Sequence, residues 1–273
     1  MIANKKSKGP IFVIGGHDPS GAGIHADIET ANALRVRVNS LVTALTVQNT
    51  KRVDKIEAVN PDTLMQQITC LREEQTPKAV KIGLIPSEEI AFVVSHFLKT
   101  LPLRTPIIID PVLKSGSNVP LVKSEVEEVL MKELFPKATV ITPNLFEATK
   151  LTNRNNPETA ASLLLRSGCK SVLITDTEPS NHSIKSVLFQ QNKNQYLYSV
   201  KRKKGQYHGT GCTLATAVAC ELCYGAPVDK AVAAAIKFAT QAVNQAEHYG
   251  LSQSVPNRTG IDKRRDSDAT ISE

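Results

Sequence analysis

Short β-rich runs alternate along most of this chain with helical patterns of ten or more residues, and polar or glycine-containing turns separate them. Ile11-Phe12-Val13-Ile14 reads as a buried strand broken by Gly15-Gly16, and a loop through Asp18-Pro19-Ser20-Gly21 leads into a helix over residues 23–34. Residues 41–47, 79–82, 107–109 and 139–141 repeat the strand signature. Residues 62–74, 88–98 and 124–134 repeat the helical one, with Pro61 and Ser87 as start signals, and a further helix and strand fall within 158–174. Parallel strands need a long crossover, which a helix supplies, so this alternation predicts βαβ units. The expected fold class is α/β with three α/β/α layers: a mainly parallel central sheet with helices on both faces. Residues 183–200 alternate more openly and predict an antiparallel edge hairpin turning at 191–194; residues 212–224 and 228–247 read as two long closing helices.

The chain has 273 residues, no internal repeat and no linker rich enough to mark a boundary, so a single domain over residues 1–257 is expected. Residues 258–273 lack hydrophobic periodicity and are expected to form a disordered tail. The five cysteines are odd in number and scattered, which suits reduced thiols in a cytoplasmic protein. Cys220 and Cys223 have zinc-like spacing but lie in a helical pattern without a second Cys/His pair, so they read as packing residues. The net charge of +7 is concentrated in Lys201-Arg202-Lys203-Lys204 and Lys263-Arg264-Arg265, and aromatics are only 4%. Base-stacking platforms are therefore scarce, and no nucleic-acid partner is expected. No apolar stretch reaches the roughly 20 residues of a membrane span, and the run after the basic amino-terminal cluster is too short for a signal peptide.

Polar residues gather where strands end: Asp18, Gln48-Asn49, Gly83, Asp110, Asn144 and Asp176. In open parallel sheets that rim is where ligands bind. Gly209-Thr210-Gly211 stands immediately before a helical pattern, where backbone N–H groups and the positive end of the helix dipole favour an anion. Cys212 would share that field, which favours a thiolate and makes it a candidate base or nucleophile.

These segments carry a resemblance. Residues 16–27 (Gly-His-Asp-Pro-Ser-Gly-Ala-Gly-Ile-His-Ala-Asp), residues 43–50, Lys81-Ile82-Gly83-Leu84, Asp110-Pro111-Val112, Thr142-Pro143-Asn144 with Glu147, and residues 208–214 stand in an order and at distances similar to those of hydroxymethylpyrimidine/phosphomethylpyrimidine kinases. That family of thiamine biosynthesis belongs to the ribokinase-like superfamily, and the resemblance covers roughly residues 11–258. It implies ATP-dependent phosphorylation of 4-amino-5-hydroxymethyl-2-methylpyrimidine and of its monophosphate, with ATP and Mg2+ as cofactors. It also implies that Asp27 and Gln48 hold the pyrimidine, while Gly16, Ala22, Val47 and Leu84 line its pocket. Asn144, Glu147, Thr175, Thr210 and Lys237 would face the nucleotide, and Asp110 and Glu147 the metal. Gly209, Thr210, Gly211 and Cys212 would cradle the transferring phosphoryl group, with Cys212 taking the hydroxyl proton. Family members are commonly dimers, so a homodimer is the implied assembly, although no patch in the sequence marks its interface.

Two departures mark a divergent branch. One glycine, Gly21, stands before Ala22 where relatives usually have two, and Thr175-Asp176-Thr177-Glu178 replaces a strand-end lysine with two glycines and a histidine. The loss removes a phosphate-facing charge, for which residues 201–204 are the nearest basic replacement in the sequence. A pyridoxal or pyridoxine kinase, and a non-catalytic pyrimidine-binding regulatory protein, are the competing readings.

Overall fold

The computed structural model describes residues 9–116, 119–178, 180–192 and 194–260. One nine-stranded sheet runs through it in the order β3-β2-β1-β4-β5-β6-β7-β8-β9. These strands are β1 (Ile11–His17), β2 (Val38–Gln48), β3 (Val53–Ala58), β4 (Val80–Ile82), β5 (Ile107–Ile109), β6 (Val140–Ile141), β7 (Ser171–Ile174), β8 (Ser183–Gln190) and β9 (Gln195–Lys201). Strands β2, β1, β4, β5, β6 and β7 pair in parallel, while β3 at one edge and β8–β9 at the other run antiparallel.

The parallel strands are apolar on both faces because both are covered. Phe12, Ile14, Ile107 and Ile109 enter one core with α2 (Pro61–Glu74), α3 (Glu88–Lys99), α4 (Ser124–Val129), α5 (Leu145–Thr152) and α6 (Pro157–Arg166). Ile11, Val13 and Ile108 enter the other, beneath α1 (Gly23–Ala33), α7 (Thr210–Cys223) and α8 (Val228–Asn244). The expected three layers and edge hairpin are therefore present. Helix α7 is buried along nearly its whole length, which its run of alanine, threonine, cysteine and valine permits at close helix–sheet distance. Cys220 and Cys223 lie within it as buried free thiols.

The structure differs from the sequence reading in four places. Gly15-Gly16 do not break β1; the strand continues through them with a register shift, held between β2 and β4. The absence of side chains lets Leu84 come close, since a Cβ on Gly16 would meet its Cδ2 at 2.9 Å, and Gly83 N continues the β1–β4 ladder by donating to Ile14 O at 2.7 Å. Strand β3 was not legible because four of its six residues are exposed and no apolar face announces it. Its pairing with β2 makes residues 48–53 a hairpin, closed by Asn49 N donating to Arg52 O at 3.0 Å. The helix expected over 124–134 passes after Val129 into a π-helical turn, Leu130–Leu134. Finally, Arg258 is no tail residue: it is 1% exposed, while residues 261–273 lie outside the described residues.

From β1 the chain moves to β2 on one side and later returns to lay β4 on the other. The carboxyl ends of β1 and β4 thus flank a topological switch point, where the diverging connections leave a crevice.

Candidate active site

That crevice is a cavity of about 320 Å³, lined from the carboxyl ends of six parallel strands and the start of α7. A volume of this size suits a small molecule.

At the β1–β2 end, Gly16, Ala22, Gln48 and Leu84 line the cavity. Val47 does not. Side chains alternate along a strand, so Thr46 and Gln48 face the cavity while Val47 points away and is 56% exposed. Asp27 is likewise absent from the wall: it is fully buried on α1, where its two carboxylate oxygens accept from Lys81 Nζ at 2.9 and 3.0 Å and one of them accepts from Thr216 Oγ1 at 2.6 Å. The group that reaches the cavity is Lys81. Burial alone would depress its ammonium, but Asp27, Cys212 and Asp110 outweigh that and raise its pKa. A lysine inside a three-residue buried strand was the available signal, since buried lysines are almost always paired.

Asp18 and His208 also face the cavity. His208 Nε2 lies 2.6 Å from Asp18 Oδ2, and Ser20 donates to Asp18 Oδ1 from both its backbone N (2.7 Å) and its Oγ (2.6 Å). Burial raises the Asp18 carboxyl, but the His208 and Ser20 hydrogen bonds and the His208 charge hold it below its ordinary value. Asp18 and His208 are 190 positions apart, so no spacing rule could join them.

At the other end, α7 opens on Gly209 with φ +81°, a left-handed conformation that a Cβ would strain. The Cβ would also meet Arg258 Nη2 at 2.7 Å and Gly21 O at 2.8 Å. Gly209, Thr210, Gly211 and Cys212 all line the cavity beneath the helix start. A Cβ on Gly211 would project toward the Asp110 carboxylate, 3.7 Å away. Thr210 Oγ1 and Thr142 Oγ1 are buried without hydrogen-bond partners.

Cys212 does not sit in the thiolate-favouring field expected of it. Burial pushes its pKa up to about 12, the carboxylates of Asp110 and Asp27 add to this, and Lys81 opposes it only in part. The helix dipole is outweighed because two acids stand within the same desolvated site. Asp110 lines the same end of the cavity, and its charge opposes the thiolate.

Asn144 caps α5 in a reciprocal box: its N donates to Glu147 Oε2 at 2.9 Å, and Glu147 N donates to its Oδ1 at 2.9 Å. Both line the cavity, as does Thr175, which bridges to Asn144 at the end of β7. Lys237 is exposed on α8 and away from the wall. Asp176 turns outward and pairs with Arg202, while Lys203 Nζ donates to the carbonyls of Val243 and Asn244 at 3.0 and 2.9 Å. Those two basic residues are thus spent elsewhere. The cation that does line this end is Lys114, 3.6 Å above the Phe146 ring.

Burial, opposed by Lys81 and reinforced by Asp27, raises Asp110 to about 6; burial and then Asp110 raise Glu147 to about 8. Asp110 Oδ2 is also buried without a partner. Two desolvated acids that repel one another, one with an unused oxygen, fit a divalent cation that keeps most of its waters. In the unfolded chain these acids release protons near their ordinary values of 3.8 and 4.5, whereas the folded chain holds them to about 6 and 8. Between those limits the folded state binds more protons, so metal-free stability falls as pH rises from about 5 to 8. Melting curves across this range are expected to show that slope, and Glu147→Gln to flatten it. An equally steep slope in the variant would place the responsible protons elsewhere.

Together the fold and the site place the chain in the ribokinase-like class of α/β kinases. The sequence profile described as phosphomethylpyrimidine kinase matches residues 18–257, and the chain belongs to that family. It is 32% identical over 249 residues to the hydroxymethylpyrimidine/phosphomethylpyrimidine kinase of Rhizobium meliloti, covering 89% of this chain and 93% of that protein. The same region is 33% identical to a probable thiamine biosynthetic bifunctional enzyme of Oryza sativa, of which this chain spans 44%. Among solved structures, the phosphomethylpyrimidine kinase of Clostridium difficile is 33% identical, with a TM-score of 0.75 over 86% of this chain and 100% of that one. An ADP complex of Bacillus subtilis pyridoxal kinase is 25% identical, with a TM-score of 0.84 over 93% and 99%.

Proposed function

We propose that the chain transfers a phosphoryl group from ATP to 4-amino-5-hydroxymethyl-2-methylpyrimidine, and to its monophosphate, in thiamine biosynthesis. The observation that carries this reading is the single cavity that holds Gln48 at one end and the Gly209–Cys212 turn at the other. Phosphoryl transfer asks mainly for positioning and charge stabilisation. Gln48 offers an amide to the edges of the ring, and the N–H groups at the start of α7, with the free Thr210 hydroxyl, meet negative charge. Lys81, locked by Asp27, adds a fixed positive charge beneath the floor. Asp110 and Glu147 would hold Mg2+, which when bound neutralises phosphate charge. Lys114 and Thr175 face the nucleotide side.

Cys212 stands where the hydroxyl proton must go, and it carries a proton of its own at neutral pH. Asp110 beside it can accept that proton as the thiol takes the substrate's, so the pair acts as one acceptor. Cys212→Ala is expected to lower kcat by about 10²–10⁴-fold with little change in KM, read by coupled ADP release. A kcat within twofold of the unaltered chain would remove the thiol from the proton path.

The likeness to pyridoxal kinase of Bacillus subtilis gives the second reading, phosphorylation of pyridoxal. ADP release with each alcohol separates the two: preference for pyridoxal would sink the first. A non-catalytic pyrimidine-binding protein would bind without ADP release, but the intact cradle argues against it. Among the described residues no helix is long and apolar enough to cross a membrane. The reading carries with it a cytoplasmic setting and a homodimer, the latter checked by light scattering.

A further inference from the structure

We propose that Asp18, Ser20 and His208 form a positioning relay that fixes which end of the Gln48 amide faces the cavity. The inference rests on the pyrimidine-kinase reading and deepens it, because it sets the hydrogen-bond polarity that the site presents to a ring substituent.

The relay follows from where each proton is already used. The Asp18 carboxylate is buried, and its neighbours favour its charged form, so it acts only as an acceptor. Its Oδ2 lies 2.6 Å from His208 Nε2, which must therefore carry the ring proton and donate it. Its Oδ1 accepts from Ser20 N at 2.7 Å and from Ser20 Oγ at 2.6 Å. The Ser20 hydroxyl has then spent its only proton, and its lone pairs alone remain for other neighbours.

Those lone pairs face His208 Nε2 at 3.1 Å, an N–H donor like the amide, and Gln48. Gln48 Nε2 is 3.5 Å from Ser20 Oγ and 3.5 Å from His208 Nε2. Ser20 Oγ accepts at this point, so the amide nitrogen must face it; the reversed amide would set Oε1 against the serine lone pairs. His208 Nε2 cannot accept from Gln48, since its proton is directed at Asp18. With the NH2 group turned to Ser20, the Gln48 carbonyl oxygen is the end left for the cavity. The wall therefore offers an acceptor, which matches an exocyclic amine and mismatches a carbonyl oxygen at the same ring position. Asp27, fully buried against Lys81 and Thr216, is not available for that task. Specificity for the amine thus resides in Gln48, and its direction is imposed by three residues from the loop after β1 and the turn before α7.

The test compares 4-amino-5-hydroxymethyl-2-methylpyrimidine with its 4-oxo analogue as substrates of the full chain, reading kcat and KM for each. The unaltered chain is expected to favour the amine. Ser20→Ala and Asp18→Asn release the amide, so the amine-to-oxo ratio of kcat/KM is expected to fall about tenfold, the scale of one neutral hydrogen bond, mainly through KM. Ser20→Thr keeps the hydroxyl and is expected to keep the ratio. A fall in kcat/KM that is equal for both substrates, with the ratio unchanged, would overturn the relay and leave only a structural role. Should Asp18→Asn fail to fold, the Ser20 pair decides alone. If the unaltered chain neither binds nor phosphorylates the amine, the functional reading fails and the relay with it, an outcome distinct from an unchanged ratio.

Discussion

Lys81→Met is expected to lower the unfolding free energy by about 3–5 kcal/mol, the usual cost of leaving one partner of a buried ion pair alone. Lys81 and Asp27 are 1% and 0% exposed, and the lysine is the only cation bonded to that carboxylate among the described residues. Methionine fills much of the volume, so cavity formation contributes little and the uncompensated charge dominates. Thr216 Oγ1 would remain as a single neutral donor to Asp27, too little to hold a desolvated carboxylate. Loss of the ammonium would also remove the attraction that moderates Asp110 and Cys212, moving both further from ionisation. The double variant Asp27→Asn/Lys81→Met is expected to recover most of the stability but not the activity, since the cavity floor would still lack its charge. Urea unfolding of the two variants checks the first point and ADP release the second. A loss below about 1 kcal/mol in the single variant would show that the pair is not formed as described.

Arg258→Ala should have an effect of similar size, from a residue near the end of the chain. The guanidinium is buried and satisfied in three directions: Nε to Thr213 Oγ1 at 2.7 Å, Nη1 to Glu29 at 2.7 Å, and Nη2 to Gly21 O at 2.9 Å. It therefore joins α1, α7 and the loop that closes the β1 side of the cavity. Truncation leaves a void and an unpaired buried carbonyl, Gly21 O, while Thr213 Oγ1 keeps its own bond to Gly209 O at 2.8 Å; the expected loss is about 3–5 kcal/mol. Glu29 is one-third exposed and can be rehydrated, so its share is small. Arg258→Lys is not expected to rescue, because an ammonium cannot reproduce the planar three-way contact. Relative to a chain ending after Gly260, one ending after Asn257 should be destabilised as Arg258→Ala is. Thermal melting of the two truncations distinguishes them, and equal melting temperatures would overturn the assignment.

How much of this was legible differs by element. The parallel core could be read because strands covered on both faces must be apolar throughout, and their crossover helices leave a 3.6-residue period. Strand β3 could not, since an edge strand with one open face needs no apolar pattern. Gln48, Asn144, Glu147 and the Gly209–Cys212 turn were found because a strand end or helix start confines them locally. Asp27 and Val47 were placed at the wall on resemblance, but the inward face of α1 directs one to Lys81 and the pleat of β2 turns the other outward.

By itself the sequence determined the layer order, the strand ends that form the rim and the glycine turn that begins α7, because each depends on residues within a few positions of one another. Only the tertiary structure decided that Arg258 is core, that Asp18 and His208 meet, and that Cys212 holds its proton. Those outcomes depend on desolvation and on charges brought together across 45 to 190 positions of chain. A local pattern carries no record of such distances. The helix dipole at Cys212 is a property of its own segment; the acids that overrule it arrive from β5 and α1.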